Sequence, residues 1–528
     1  MKKFNYLNKL AFAFFTIASL SLTFTSCNDD DDTIDSSKKS ATGILEEYNT
    51  PKYVFLFIGD GMANVQINAA EAALNSSGFL KSVGIGTLNM QQFNVTGMQT
   101  THAKDRYITD SAAAATALAT GEKTTCGTIS QNGEHSEEIK TMAEMAKAKG
   151  MKVGIVSSVS IDHATPACFY SHAETRNYYN YIASQMATSN FDYFGGGYAK
   201  GNFTKYRDAS RVPADFTPVD IDQAMINAGY TIATNKTELN AIANGTKCWA
   251  YSDQYDGSAA LPYEVDRTSD DLSLADFTEK GIELLDNKNG FFMMVEGGKI
   301  DWACHANDAV ASTFDVVAFD DAVGKAIDFY NEHPDSTLII VTGDHETGGL
   351  TLGYAGTAYE TAFTFLNYQK ISYDEYYNNV VKSWDPATIT FNEALASAKE
   401  YFGLGDETKT ESSEQGLDFS LELSDYETER LQTAFDLTIG IMDGSVNFKE
   451  ECAGYDSDIF GGSSYDPFTV TVTHILNEKA GIDWTTYSHT AVPVPVLALG
   501  QGEYKFTGYY DNTDVAKKII EIAALNAE

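Results

Sequence analysis

Positive charge is what this 528-residue chain has least of: 36 Lys and Arg stand against 74 Asp and Glu, a formal charge of −38. Nucleic acid and anionic membrane surfaces recruit a basic footprint, so both are excluded as partners. An anionic substrate has to be met by cations bound locally. Paired cysteines are missing as well. No CxxC occurs, which excludes a thiolate zinc cage, and the cysteines after Cys27 (Cys126, Cys168, Cys248, Cys304, Cys452) are odd in number and irregularly spaced. That is no disulfide framework, although one or two bridges are compatible with it. No internal repeat is visible. With 43% hydrophobic residues the chain is nonetheless globular, long enough for one large α/β domain with insertions.

A membrane-spanning run is lacking too, since the apolar stretch Leu10 to Phe24 is too short and too early. Met1-Lys2-Lys3, that stretch and Thr25-Ser26-Cys27 instead form the basic, apolar and small-residue parts of an export signal. Asn28-Asp29-Asp30-Asp31-Asp32 and polar residues through Thr42 follow. The segment resembles the signal and lipid-attachment cysteine of bacterial lipoproteins, and the acidic run resembles the tether of Bacteroidetes surface lipoproteins. The resemblance implies a signal peptide over 1–27 ending at a lipidated Cys27 and a tether over 28–50. It also implies an exported outer-membrane lipoprotein at the cell surface or in the periplasm, touching the membrane only through its lipid. Phe24 departs from the smaller aliphatic residue usual in that pattern. The other reading is an ordinary cleaved signal followed by a solvated charge run.

Four strand-length apolar runs, Tyr53 to Ile58, Val153 to Ser158, Phe291 to Val295 and Leu338 to Thr342, lie among helical stretches such as Glu137 to Lys149 and Ala311 to Tyr330. They lack polar alternation, so they predict a mostly parallel sheet with helices on both faces and ligands at its carboxyl edge. Each run ends in chemistry: Gly59-Asp60-Gly61, IDHATPA, Glu296-Gly297-Gly298 and Gly343-Asp344-His345-Glu346. One acid after a strand is often only a helix cap; four such ends on one sheet edge exceed what capping explains. From Tyr354 to about Thr473 the chain is tyrosine-rich and acidic, an insertion or cap over that edge.

YITDSAAAATALATGEKTT, Tyr107 to Thr125, predicts a helix starting at Asp110-Ser111, with Ser111 as its cap and facing the positive end of the helix dipole. In IDWACHAND, Asp301 and His305 are spaced i,i+4 and can share a metal from one helix face. Asp344 and His345 can reach one ion from an irregular turn, and His489 in SHTAVPV starts another strand-like run. Nitrogen and carboxylate ligands without cysteine suit two zinc ions, and an oxygen set of Asp60, Thr165 and Glu296 suits magnesium.

GDGM (59–62), TDSAAAATALATG (109–121), HATPA (163–167), EGGKIDWACHAND (296–308), GDHETGG (343–349) and SHTAVPV (488–494) together resemble alkaline phosphatases, in that family's order, from about Lys52 to Gly500. The resemblance implies an alkaline-phosphatase-like α/β domain over 51–353 and 474–528 with a cap or crown insertion at 354–473. It also implies hydrolysis of phosphate monoesters through a phosphoserine at Ser111. Two Zn2+ are implied, one on Asp301, His305 and His489, the other on Asp60, Asp344 and His345 with Ser111; Asp60, Thr165 and Glu296 would hold one Mg2+. Arg176, in SHAETRN, matches an arginine that grips the phosphate, and the family admits a homodimer. Where the best-known bacterial members carry an aspartate and a lysine near the magnesium and phosphate, this chain has His163 and Trp302. The pair resembles a subset of other bacterial members and is placed on the substrate side.

Two rivals remain. A phosphodiesterase of the same superfamily usually carries threonine as nucleophile and lacks the arginine, and a sulfatase needs a C/S-x-P-x-R motif that is absent here. A non-catalytic surface lipoprotein binding phosphate or glycans through its tyrosine-rich cap would need neither Ser111 nor the full ligand set.

Overall fold

The structure, a computed structural model, describes residues 48–76, 88–412, 418–447 and 465–526. The export signal, Cys27, the tether through residue 47 and Cys452 lie outside them. Among the described residues no helix is long and apolar enough to cross a membrane, and Cys126, Cys168, Cys248 and Cys304 are unpaired.

The apolar runs form adjacent strands because they are buried on both faces and have no polar side to show water. Tyr53–Gly59 is fully buried and pairs in parallel with Phe291–Gly297 on one side and Thr337–Gly343 on the other. Lys152–Ser157 extends the sheet beyond Phe291–Gly297, again in parallel. Six further strands complete a ten-stranded sheet, and only Val494–Gly500 runs against its neighbours.

Helices cover both faces. One apolar layer gathers Ala112, Ala115, Leu118, Phe169 and Ile519; the other gathers Ile67, Phe277, Phe319 and Val323. The helix expected from Glu137 begins only at Met142, because Thr141 caps it: the Thr141 hydroxyl accepts from Glu144 N while the Glu144 carboxylate accepts from Thr141 N. The second expected helix runs Ala309–Glu332.

In the tyrosine-rich segment Phe402, Leu431 and Phe435 pack with Phe468, Val472 and Leu476, in a cluster that also takes in Ala69, Ala309 and Val310 of the sheet-covering helices. The boundary expected at 473 therefore falls inside the helix Pro467–Ala480, whose apolar side belongs to this cap. Antiparallel pairing of Thr351–Leu352 with Ile482–Asp483 brings the two ends of the segment together.

Candidate functional site

Register aligns Gly59 with Gly297 and with Gly343, so Asp60 and Asp344 emerge level with each other at the sheet's carboxyl edge, and Glu296, paired with Ile58, stands two residues before them. Gly61 turns the chain away at φ +72°, where a Cβ would lie 2.9 Å from Asp301 Cα. Only glycine adopts that conformation without strain and lets the Asp60 turn press against the helix Lys299–His305.

Asp110, not Ser111, caps the helix Ser111–Thr120, which corrects the expectation from sequence. Asp110 has extended backbone and its Oδ1 accepts from Ala113 N at 3.0 Å, whereas Ser111 is already the first helical residue. The Ser111 hydroxyl is thereby left for the site, with Oγ 3.3 Å from His345 Nε2.

Three groups of side chains converge there, each with ligand atoms within 4.8 Å of one another: Asp301, His305 and His489; Asp60, Asp344 and His345; and Asp60, His163 and Glu296. Hydrogen bonding sets the histidine tautomers. His305 Nδ1–H donates to the Tyr487 carbonyl at 2.6 Å and His489 Nδ1–H to that of Thr109 at 2.8 Å. The Thr347 hydroxyl donates to Asp301 Oδ1 at 2.6 Å and faces His345 Nδ1 at 3.3 Å. All three Nε2 atoms therefore turn inward, towards carboxylates 3.3 to 3.6 Å away.

The donor set fits metal cations. Both carboxylate oxygens of Asp60, Glu296 Oε1 and Asp344 Oδ2 are buried without a hydrogen-bond partner, and unpaired buried acceptors of that number are costly. Burial raises Asp60 well above the ordinary carboxylate range, and the charges of Asp344, Asp301 and Glu296 raise it further. Asp344 is raised for the same reasons, and burial pushes Glu296 up to about 7 against the hydroxyls of Ser157 and Thr165. Burial also works upward on Asp301, but His305, His489 and His345 hold it well below the usual range. His305 is drawn up to about 9, Asp301 outweighing the effect of burial. Cations at this edge relieve the carboxylate repulsion and satisfy the unpaired oxygens together.

Arg176 reaches the rim of the same cluster. Its Nη1 donates to Asp110 Oδ2 and its Nη2 to His163 Nε2, both at 3.1 Å. Trp302 meets His163 edge to face, with centroids 5.6 Å apart. His163, expected on the substrate side, thus touches Arg176 while also belonging to the group with Asp60 and Glu296. Thr165 is fully buried beside Glu296.

Two residues escaped the sequence reading. Asp110 holds Arg176, Gly127 N and the helix start at once, and its place next to Ser111 is the signal that marked it. Thr347 orders Asp301 and His345 from within GDHETGG, and no sequence pattern singles it out.

Known proteins resemble this chain in sequence and fold. The family model described as alkaline phosphatase matches residues 51–525. Alkaline phosphatase 3 of Bacillus subtilis is 30% identical over 492 residues, covering 90% of this chain and 89% of that protein. The crystal structure of a cold-active alkaline phosphatase from the psychrophile Shewanella sp. superposes with a TM-score of 0.68 at 27% identity, covering 89% of this chain and 99% of that one. A variant of the alkaline phosphatase TAB5, solved with Mg bound in its M3 site, gives a TM-score of 0.58 at 25% identity over 90% of this chain and 99% of that one.

Proposed function

The chain belongs to the alkaline phosphatase family, whose enzymes are metal-dependent, and on that premise we propose that it releases inorganic phosphate from phosphate monoesters through a phosphoserine at Ser111. The observation that carries this reading is the Ser111 hydroxyl, 3.3 Å from His345 Nε2 at the start of a helix and at the meeting of the ligand groups.

Asp301, His305 and His489 would hold one zinc ion and Asp60, Asp344 and His345 a second, while Asp60, Glu296 and Thr165, with His163 beside them, would hold magnesium. When bound, these ions supply Lewis-acid stabilisation of the charge on the transferring phosphoryl group. The chain's own residues do the rest. Ser111 sits where helix N–H groups and dipole favour negative charge; its oxygen bonds to phosphorus as the bond to the leaving oxygen breaks. Its hydroxyl proton passes to solvent, and the departing alkoxide takes one back. Arg176, fixed by Asp110 and His163 through one N–H of each terminal nitrogen, has the others free to fork onto two phosphoryl oxygens. Water then attacks the phosphoserine, the Ser111 oxygen leaves, and the serine regains its proton.

A Ser111→Ala variant tests this. Activity on an aryl phosphate falls on the order of 10^3-fold while the His, Asp and Glu groups that would hold the metals remain in place. Acid-quenched turnover of labelled substrate leaves phosphate on Ser111 in the parent only. Parent-like turnover by Ser111→Ala would remove the serine from the mechanism.

We also propose, from residues 1–50 alone, that the protein is exported and lipidated at Cys27. The mass of the mature N-terminus checks this, and an unmodified or retained N-terminus contradicts it.

A further inference from the structure

The cap and the loop leading to His489 enclose a groove with two segments. The inner one, about 420 Å3, is walled by Tyr354, Tyr426, His474, Trp484 and Tyr487. The outer one, about 280 Å3, shares Tyr354, Tyr426 and Glu478 with it and adds Asp418, Ser420 and Ser424. Cavities of about 300–1,000 Å3 are typical of small-molecule sites. The inner end abuts the reaction centre: the Tyr487 carbonyl accepts from His305 Nδ1, and Asn307, also in the wall, follows His305 by two residues.

Two properties of the walls define the ligand. Aromatic residues are prominent in the walls, and Tyr426 stands 71% exposed at the junction of the two segments. Carboxylates outnumber cations: Asp418, Glu427, Glu478 and Asp483 face only Arg430 and Lys479, and those two are already spent on Glu478 and Glu427 at 2.7 and 2.8 Å. A second anionic group is therefore repelled. Flat apolar faces and carboxylate acceptors are what a neutral polyhydroxylated ring needs: stacking on its C–H face and acceptors for the hydroxyls at its edge.

We propose that this groove binds the sugar rings of a phosphorylated oligosaccharide whose phosphate reaches Ser111. The inference rests on the phosphomonoesterase reading and narrows its substrate class.

The test uses the full metallated chain with 4-nitrophenyl phosphate, glycerol phosphate and a panel of gluco-, galacto- and N-acetylglucosamino-disaccharide phosphates. At least one disaccharide phosphate should show a KM tenfold or more below that of glycerol phosphate. Tyr426→Ala, which leaves the exposed rim and not the core, should raise that KM about tenfold, the worth of one stacked ring, with kcat and 4-nitrophenyl phosphate turnover unchanged. No preference across the panel, or a preference indifferent to both Tyr426→Ala and Tyr354→Ala, overturns the proposal. Absence of 4-nitrophenyl phosphate hydrolysis would instead sink the phosphatase reading. The groove is then judged by Trp484 fluorescence titrated with the unphosphorylated disaccharides: a saturable change keeps it as a carbohydrate site, and no change removes it.

Discussion

Replacing Arg176 by lysine keeps the charge and removes the fork. The guanidinium is anchored at 3.1 Å to both Asp110 and His163, and its side chain is 22% exposed. It therefore presents its remaining N–H groups in a fixed direction. A lysine ammonium has three donors on one atom, so it cannot hold both anchors and still span two phosphoryl oxygens. A charge-assisted hydrogen bond contributes about 1.5–3 kcal/mol. Loss of one bond and of the alignment of the other comes to about 2–4 kcal/mol in the transition state, or about 30- to 1,000-fold in kcat/KM at 1.36 kcal/mol per decade. Metal content should not change, because Arg176 is in none of the ligand groups. Nor should the helix start loosen, since Asp110 keeps its bonds to Ala113 and Gly127. The assay is steady-state hydrolysis of an aryl phosphate with zinc and magnesium measured on the same sample. A fall of less than about threefold, or an activity loss that tracks metal loss, would refute the reasoning.

Gly61→Ala forces a side chain into φ +72° and against Asp301 Cα, 2.9 Å away; a destabilisation of about 1–3 kcal/mol is expected, read as a lowered thermal midpoint together with weakened metal retention. His474 accepts from Arg430 Nη2 and donates to Asn307 Oδ1, and burial, helped by the Arg430 charge, lowers its pKa to about 3. Between the ordinary histidine value near 6.5 and that value, the unfolded chain takes up a proton that the folded one refuses. Stability contributed here is thus present above about pH 6.5 and lost as pH falls. Discounted for partial exposure, the loss is about 1–3 kcal/mol by pH 4.5. Urea unfolding of the parent and His474→Gln across pH 4.5 to 7.5 checks it; equal acid sensitivity in the two contradicts it.

The catalytic edge was legible because parallel strands buried on both faces leave uninterrupted apolar runs, and the acids at their ends gather at one edge once the strands pair in register. The spacing of Asp301 and His305 was equally direct, since a helix puts them one turn apart. The helix cap was not. Asp110 and Ser111 are both good caps, and only backbone dihedrals decide between them. The end of the cap was hidden for a different reason: Phe468 to Thr473 alternates apolar residues with threonine, a strand-like period. Asp466 and Pro467 nevertheless start a helix there, and burial on most sides makes the alternation uninformative. His163 touches both Arg176 and the Asp60–Glu296 pair only through tertiary packing, which one sequence cannot display.

In the mechanism proposed above, buried carboxylates and inward-facing imidazoles hold the cations that make Ser111 reactive towards phosphate monoesters. Hydrolysis of an aryl phosphate at alkaline pH should disappear when a chain lacking the first 27 residues is stripped by chelation, and return when zinc and magnesium are restored. The thermal midpoint should fall and recover in step, as repulsion among Asp60, Glu296, Asp301 and Asp344 is exposed and relieved. Activity untouched by chelation, or no activity in the fully metallated protein, would contradict the account.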